Sequence, residues 1–138
     1  PTYHMGYWIL GVALAATEAR EEAAGVFRDG LSLAPDDAHL ESYLAWVSGI
    51  QGQKETAQRI LDDLQRRREH GYVSAFQIAM AYLGLGRSLE ATDWLGQAYA
   101  EGDPLLSYLG VWWVCDPLRA DPRFRDILRR MNAPEAGV

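Results

Sequence analysis

The chain is poor in the residues that do chemistry on their own. Its 138 residues include one cysteine, Cys115, which excludes an internal disulfide framework and cannot form a structural zinc site unaided. A small apolar core residue is the role expected of it. No apolar run approaches the roughly 20 residues of a membrane-spanning helix. The longest, Leu105 to Cys115, is interrupted by Ser107, Tyr108 and Gly110. No basic stretch followed by an apolar one marks a signal peptide. The chain opens at Pro1, so it reads as a piece of a longer protein, with the cytoplasm as its expected place.

Positive charge is also scarce. Thirteen Lys and Arg stand against 19 Asp and Glu, a net charge of −6, and that balance carries no footprint of nucleic-acid binding. Two basic runs remain. Arg66-Arg67-Arg68 follows Asp62 and Asp63 at the spacing of helical ion pairs. Arg119, Arg123, Arg125, Arg129 and Arg130 load the end of the chain, where cations suit the dipole of a last helix. Both read as solvated helix surface.

Arrangements for catalysis or metal binding are equally thin. His4, His39 and His70 lie about a repeat apart, but none has a second ligand at metal spacing on its own helical face. Gly84-Leu85-Gly86-Arg87-Ser88 resembles a phosphate loop only superficially, lacking a preceding strand and a lysine. Glu21-Glu22 and Asp36-Asp37 sit at helix starts, where capping and the helix dipole account for them. The expectation is no catalytic residue, no metal and no cofactor.

What the chain has is a repeat. Ala23, Ala57 and Ala91 are spaced by 34 residues; four residues after each stands Phe27, Leu61 or Leu95. Thirteen before each stands Leu10, Leu44 or Ile78, followed by the small residues Gly11, Ala45 and Ala79. Two antiparallel helices pack closely only where their crossing carries little side chain, which gives the expected pairs Gly11 with Ala23, Ala45 with Ala57, and Ala79 with Ala91. The register holds without a gap over units 4–37, 38–71 and 72–104, with helices expected over about 3–16, 20–33, 38–51, 54–69, 72–84 and 88–101. Gly52 and Gly86 fall where left-handed caps would end helices, and Pro35-Asp36-Asp37 supplies a stop followed by cap side chains.

These residues resemble the tetratricopeptide repeat (TPR) family. The first unit, Tyr7-x2-Leu10-Gly11-x2-Leu14 with Ala23-x3-Phe27 and Pro35, is similar to the signature at every step. The third keeps Ile78-Ala79-x2-Tyr82, Ala91-x3-Leu95 and Ala98, with Pro104 one place late. The second departs at Glu41, Ser48 and Glu69. The resemblance implies an all-α fold: a right-handed superhelix of three helix-turn-helix repeats over 1–104, followed by capping helices over 105–132 and a flexible tail over 133–138. Counting a fourth unit from 105 puts Trp112 and Phe124 in slots that must be small, so a cap is expected instead of another hairpin. Asp103-Pro104 and Asp121-Pro122 start its helices, the last with Phe124, Ile127, Leu128 and Met131 on one apolar face. The stretch Asp116 to Phe124 looks like the tail that closes TPR arrays in many bacterial regulatory proteins fused to winged-helix, cyclase or kinase modules.

By the same resemblance, first helices line a concave groove. In this chain the lining reads Met5, Trp8, Val12, Ala15 and Ala16; His39, Ser42, Trp46, Gly49 and Ile50; Val73, Phe76, Met80, Leu83 and Gly84, without one Lys, Arg, Asp or Glu. The positions that hold acidic tails in chaperone-binding members are Trp8, Val12, Tyr43, Val73 and Gln77, so no carboxylate clamp is expected. The implied function is a non-catalytic scaffold that takes an apolar or amphipathic protein segment, or a second copy of itself, through Trp8, Trp46 and Phe76. Two alternatives stand beside it: a regulatory or oligomerisation domain of a bacterial regulator, and a sensor of an apolar small molecule. Helix 105–114 is expected to cover only the third unit's side of the lining.

Overall fold

Turn chemistry divides the chain before packing does. The computed structural model describes residues 3–109 and 112–131, so the expected tail lies outside the described residues. Six helices come first: α1 (Tyr3–Ala16), α2 (Arg20–Leu33), α3 (Ala38–Ile50), α4 (Lys54–Arg68), α5 (Ala75–Gly84) and α6 (Ser88–Ala100). Two 3-10 turns, Pro104–Tyr108 and Trp113–Leu118, lead to α7 (Pro122–Arg130). The fold is all-α, with no strand among the described residues.

The first helix of each pair ends on a left-handed residue. Gly52 has φ +86° and Gly86 has φ +75°, and the amides just beyond them return to the helix, Gln53 N to Ser48 O at 2.9 Å and Arg87 N to Tyr82 O at 3.1 Å. Asp37 starts α3 by accepting from Leu40 N at 3.1 Å. The start of α5 corrects the expectation of 72. Ser74 Oγ accepts from Gln77 N while Gln77 Oε1 accepts from Ser74 N, a reciprocal capping box that fixes the first turn at Ala75.

Three-residue turns make α1 and α2, α3 and α4, and α5 and α6 antiparallel neighbours. Each pair packs together, α3 also packs on α2 and α5, α5 touches α4, and α7 closes on α6. Ala23, Ala45, Ala57, Ala79 and Ala91 are fully buried, as close crossings require. Gly11 is buried for a related reason: a Cβ there would meet the ring of Phe27, whose Cδ1 lies 2.8 Å from that position. Phe27, Leu61 and Leu95 are all 0% exposed, each contributing roughly 1.5–3 kcal/mol by leaving water.

The C-terminal segment departs from regular helix. Asp103 caps a 3-10 turn of only five residues, accepting from Leu105 N at 2.9 Å, and not the longer helix expected after Asp103-Pro104. Asp121 caps α7, whose Phe124, Ile127 and Leu128 are buried with Met131 packed beside them. The arginines of its outer side pair with neighbours, Arg123 with Asp93 at 2.5 Å and Arg130 with Asp126 at 3.0 Å.

Candidate functional site

The uncharged lining read from the sequence is a filled interior. Val12, His39, Ser42, Trp46, Val73, Phe76, Met80 and Leu83 are buried, Trp8 and Ile50 are half-buried, and Met5, at 47% exposure, and Ala16 lie open. Trp46 keeps 4% of its surface and Phe76 3%. The expectation that these two rings face water is corrected.

Two features fill the lining. The first is helix crossing. A Cβ on Gly84 would overlap the backbone of Trp46, whose carbonyl oxygen lies 2.5 Å from that position, and a Cβ on Gly49 would overlap the backbone of Gly84 and Leu85. These two glycines let α3 and α5 touch backbone to backbone. The second feature is the cap. Trp112 lies 5.7 Å from Trp8 and 6.3 Å from Tyr43 between ring centroids, and Trp113 meets Trp46 edge-on at 5.6 Å. The cap thus reaches α1 and α3 and is not confined to the third unit. The first 3-10 turn ends at Tyr108, and Arg119 Nη2 anchors Trp112 by donating to its carbonyl oxygen at 3.2 Å.

An aromatic cluster results. His39 sits 4.9 Å from Trp8 and 5.1 Å from Tyr43, and a cavity of about 60 Å³ is lined by Trp8, His39, Tyr43, Phe76, Leu105 and Trp112. Burial lowers the His39 pKa to about 4; His4 adds to the lowering, while Asp37 and Asp103 oppose it. His39 is therefore neutral at pH 7. His4 Nδ1 pairs with Asp37 at the rim. Burial drives the Tyr43 phenol upward, Cys115 nearby adds to this, and the Trp112 and Trp8 indoles partly offset it. Those indole N–H groups bear on Tyr43 without closing hydrogen bonds of ordinary geometry. Cys115 is fully buried and its thiol is pushed up to about 12, chiefly by desolvation, which makes it an inert core residue.

The exposed apolar surface lies elsewhere, on the outer face of α1. Met5, Ile9 and Leu10 are 47%, 57% and 51% exposed, and Gly6, Ala13 and Ala16 are open beside them. Helix α1 carries no Lys, Arg, Asp or Glu in its 14 residues. Leu10 was expected to be a packing position, and Ile9 drew no notice in the sequence. The signal that marks them is the charge-free run itself, since a surface helix ordinarily shows a charged stripe. Leu33, Tyr72, Leu89 and Trp113 are also exposed, but on different elements, where single apolar residues are ordinary.

Among the described residues no group of His, Cys, Asp and Glu is placed to hold a metal ion, and no helix is long and apolar enough to cross a membrane. The candidate site is thus an uncharged helix face, backed by an interior that the chain's own cap occupies. In comparisons with known proteins, no family model, no curated protein and no solved structure matches this chain.

Proposed function

We propose that this chain is a non-catalytic protein-interaction module of TPR type, and that its contact surface is the N-terminal end of the helical stack. The observation that supports it is the face of Met5, Ile9 and Leu10, half exposed and uncharged on a chain of net charge −6. Contiguous apolar surface of this kind usually marks a contact site. The partner contact moves from the inner lining, where Trp46 and Phe76 have no surface left to offer, to the outer side of the first helix. An uncharged contact of this type depends little on salt.

The test uses the whole chain and an Ile9→Glu, Leu10→Glu variant, both immobilised. Captured proteins are identified, purified and measured one at a time against each form. At least one purified partner is expected to bind the wild type and to lose that binding with the variant, while the helical circular-dichroism signal stays unchanged. Purified partners that bind both forms equally would sink the reading.

A second reading, an apolar small ligand, draws on the cavity beside Trp8 and Trp112. Its volume of about 60 Å³ is well under the roughly 150 Å³ that accommodates benzene. That space holds no more than a few carbon atoms. The protein reading therefore leads.

A further inference from the structure

The cavity beside Trp8 and Trp112 has walls of one chemical kind. Trp8, Tyr43, Phe76 and Trp112 give it four aromatic rings, and His39 and Leu105 complete the lining. Neighbouring rings stand inclined to one another and are not stacked. Trp8 meets Tyr43 at 61° and Trp112 at 46°, and Trp112 meets Tyr43 at 75°, with centroids 5.7 to 6.3 Å apart. Rings so arranged can enclose a space. Both indole N–H groups bear on Tyr43, and the lining that remains is almost wholly apolar.

Around this box the charge has one sign. No Lys or Arg lines it, and His39 is neutral at pH 7. Arg119, which donates to Trp112 O, is paired with Asp116 and is not part of the lining. Asp103 stands beside two of the walls. Its Oδ1 accepts from Leu105 N at 2.9 Å, and its charge acts on His39, as that of Asp37 does. Asp103 Oδ2 is buried and has no hydrogen-bond partner among the described residues. A buried carboxylate oxygen in that position is destabilising, and a cation close by offsets it. Aromatic rings add to the same preference, because their negative faces attract a cation within about 6 Å of the centroid. An anion would meet both the rings and the carboxylates unfavourably.

We propose that this cavity binds a small alkylammonium group, with Trp8, Tyr43, Phe76 and Trp112 as its cage and Asp103 as its counter-charge. The volume of about 60 Å³ limits the guest to an ammonium carrying up to about three methyl groups. Two sources share that chemistry: a free methylated ammonium ion, and the methylated end of a lysine side chain whose stem leaves past the half-buried rings of Trp8 and Trp112. The site is separate from the open face of α1 and does not depend on the contact proposed there.

The probe is trimethylammonium chloride, titrated at pH 7 into the full chain carrying 15N-labelled tryptophan. Neutral tert-butanol controls for shape and sodium chloride for ionic strength. Five tryptophans give a simple indole spectrum, in which Trp94 of α6, packed under Arg68, is the reference. The indole resonances of Trp8 and Trp112 are expected to shift saturably with trimethylammonium, but not with either control, while Trp94 stays unmoved. Asp103→Asn keeps a capping side chain and removes the charge. Phe76→Leu keeps an apolar wall and removes one ring. Each is expected to weaken binding by about fivefold or more, with the far-ultraviolet circular dichroism of a folded chain. Equal shifts with tert-butanol would overturn the inference, because the cavity would then select shape alone. No saturable shift with trimethylammonium up to about 0.1 M, or binding that neither substitution weakens, would overturn it directly. Acetyl-trimethyllysine methylamide separates the sources: binding tighter than that of the free ion assigns the site to a lysine end, and weaker binding assigns it to the free ion.

Discussion

Trp112 rests against Trp8 with ring centroids 5.7 Å apart, so the cap and the first helix share one aromatic cluster. A cap built only to shield the last repeat would leave the first helix alone. This one joins both ends of the stack, and its loss should be felt as loss of global stability and not as local fraying. Trp112→Ala is expected to destabilise the chain by about 2–4 kcal/mol, somewhat under a fully buried tryptophan because the ring is half exposed. Trp46→Glu should do more, placing a carboxylate where 4% of the residue is exposed and costing about 4 kcal/mol or more. Urea melts followed by near-ultraviolet circular dichroism test both. A folded Trp46→Glu protein of wild-type stability would show that the interior is not packed as described.

The crossing of α3 and α5 gives a paired prediction. Gly84→Ala puts a methyl group onto the backbone of Trp46, and backbone cannot move aside as a side chain can. The expected loss is about 3 kcal/mol or more. Gly25→Ala lies within α2 with nothing inside 4 Å of the new methyl group, so it should stabilise by about 0.5–1 kcal/mol through helix propensity. Equal effects from the two substitutions would refute the close crossing.

Helix positions were legible in the sequence for a physical reason. Spacing of small and large residues, left-handed glycines and Asp caps are local signals, and they placed α1 to α4 and α6 within a residue of their observed bounds. The capping box at Ser74 and Gln77 shortened α5 because a short-range hydrogen-bond pair outweighed the register. The candidate site was less legible. A face without charge is the same string of letters whether water or another part of the chain covers it. What decided the matter was the path of the segment around Trp112 and Trp113, set by long-range ring contacts that no spacing rule encodes. The same absence of charge did mark the open face of α1, at Ile9 and Leu10.

His39 supplies a pH dependence with a defined sign. Its folded pKa of about 4 lies below the unfolded value of about 6.5, so between these limits the unfolded chain binds the proton and the folded chain does not. Its contribution is fully present above about pH 6.5 and is lost as pH falls toward 4, by about 3 kcal/mol at most. His39→Phe keeps a ring in the cluster and removes the titration. Stability measured in urea at steps from pH 7 to pH 4 should fall more steeply for the wild type than for this variant. Parallel curves would mean that His39 is protonated in the folded protein after all.

Glu18 stands 34 residues before Gly52 and another 34 before Gly86, and it adopts the same backbone: φ is +66° at Glu18 against +86° and +75° at the glycines. The helix ends match as well, with Ala19 N returning to Leu14 O at 3.0 Å as Gln53 N and Arg87 N return to theirs. At this place the left-handed conformation is dictated by the turn, while the residue type at the first repeat opposes it. A residue with a Cβ is strained there by about 1–2 kcal/mol. Glycine removes that strain but brings a more flexible unfolded chain, which returns about 0.4–1 kcal/mol. The net expectation for Glu18→Gly is a gain of about 0.5–1 kcal/mol, with no loss of ion pairing because Glu18 is exposed and forms no salt bridge among the described residues. The reverse substitutions set the scale: Gly52→Glu and Gly86→Glu should each destabilise by about the same amount or somewhat more. Thermal or urea melts of the three variants test the series. A Glu18→Gly protein less stable than wild type would show that the turn after α1 is not the left-handed cap its two successors are.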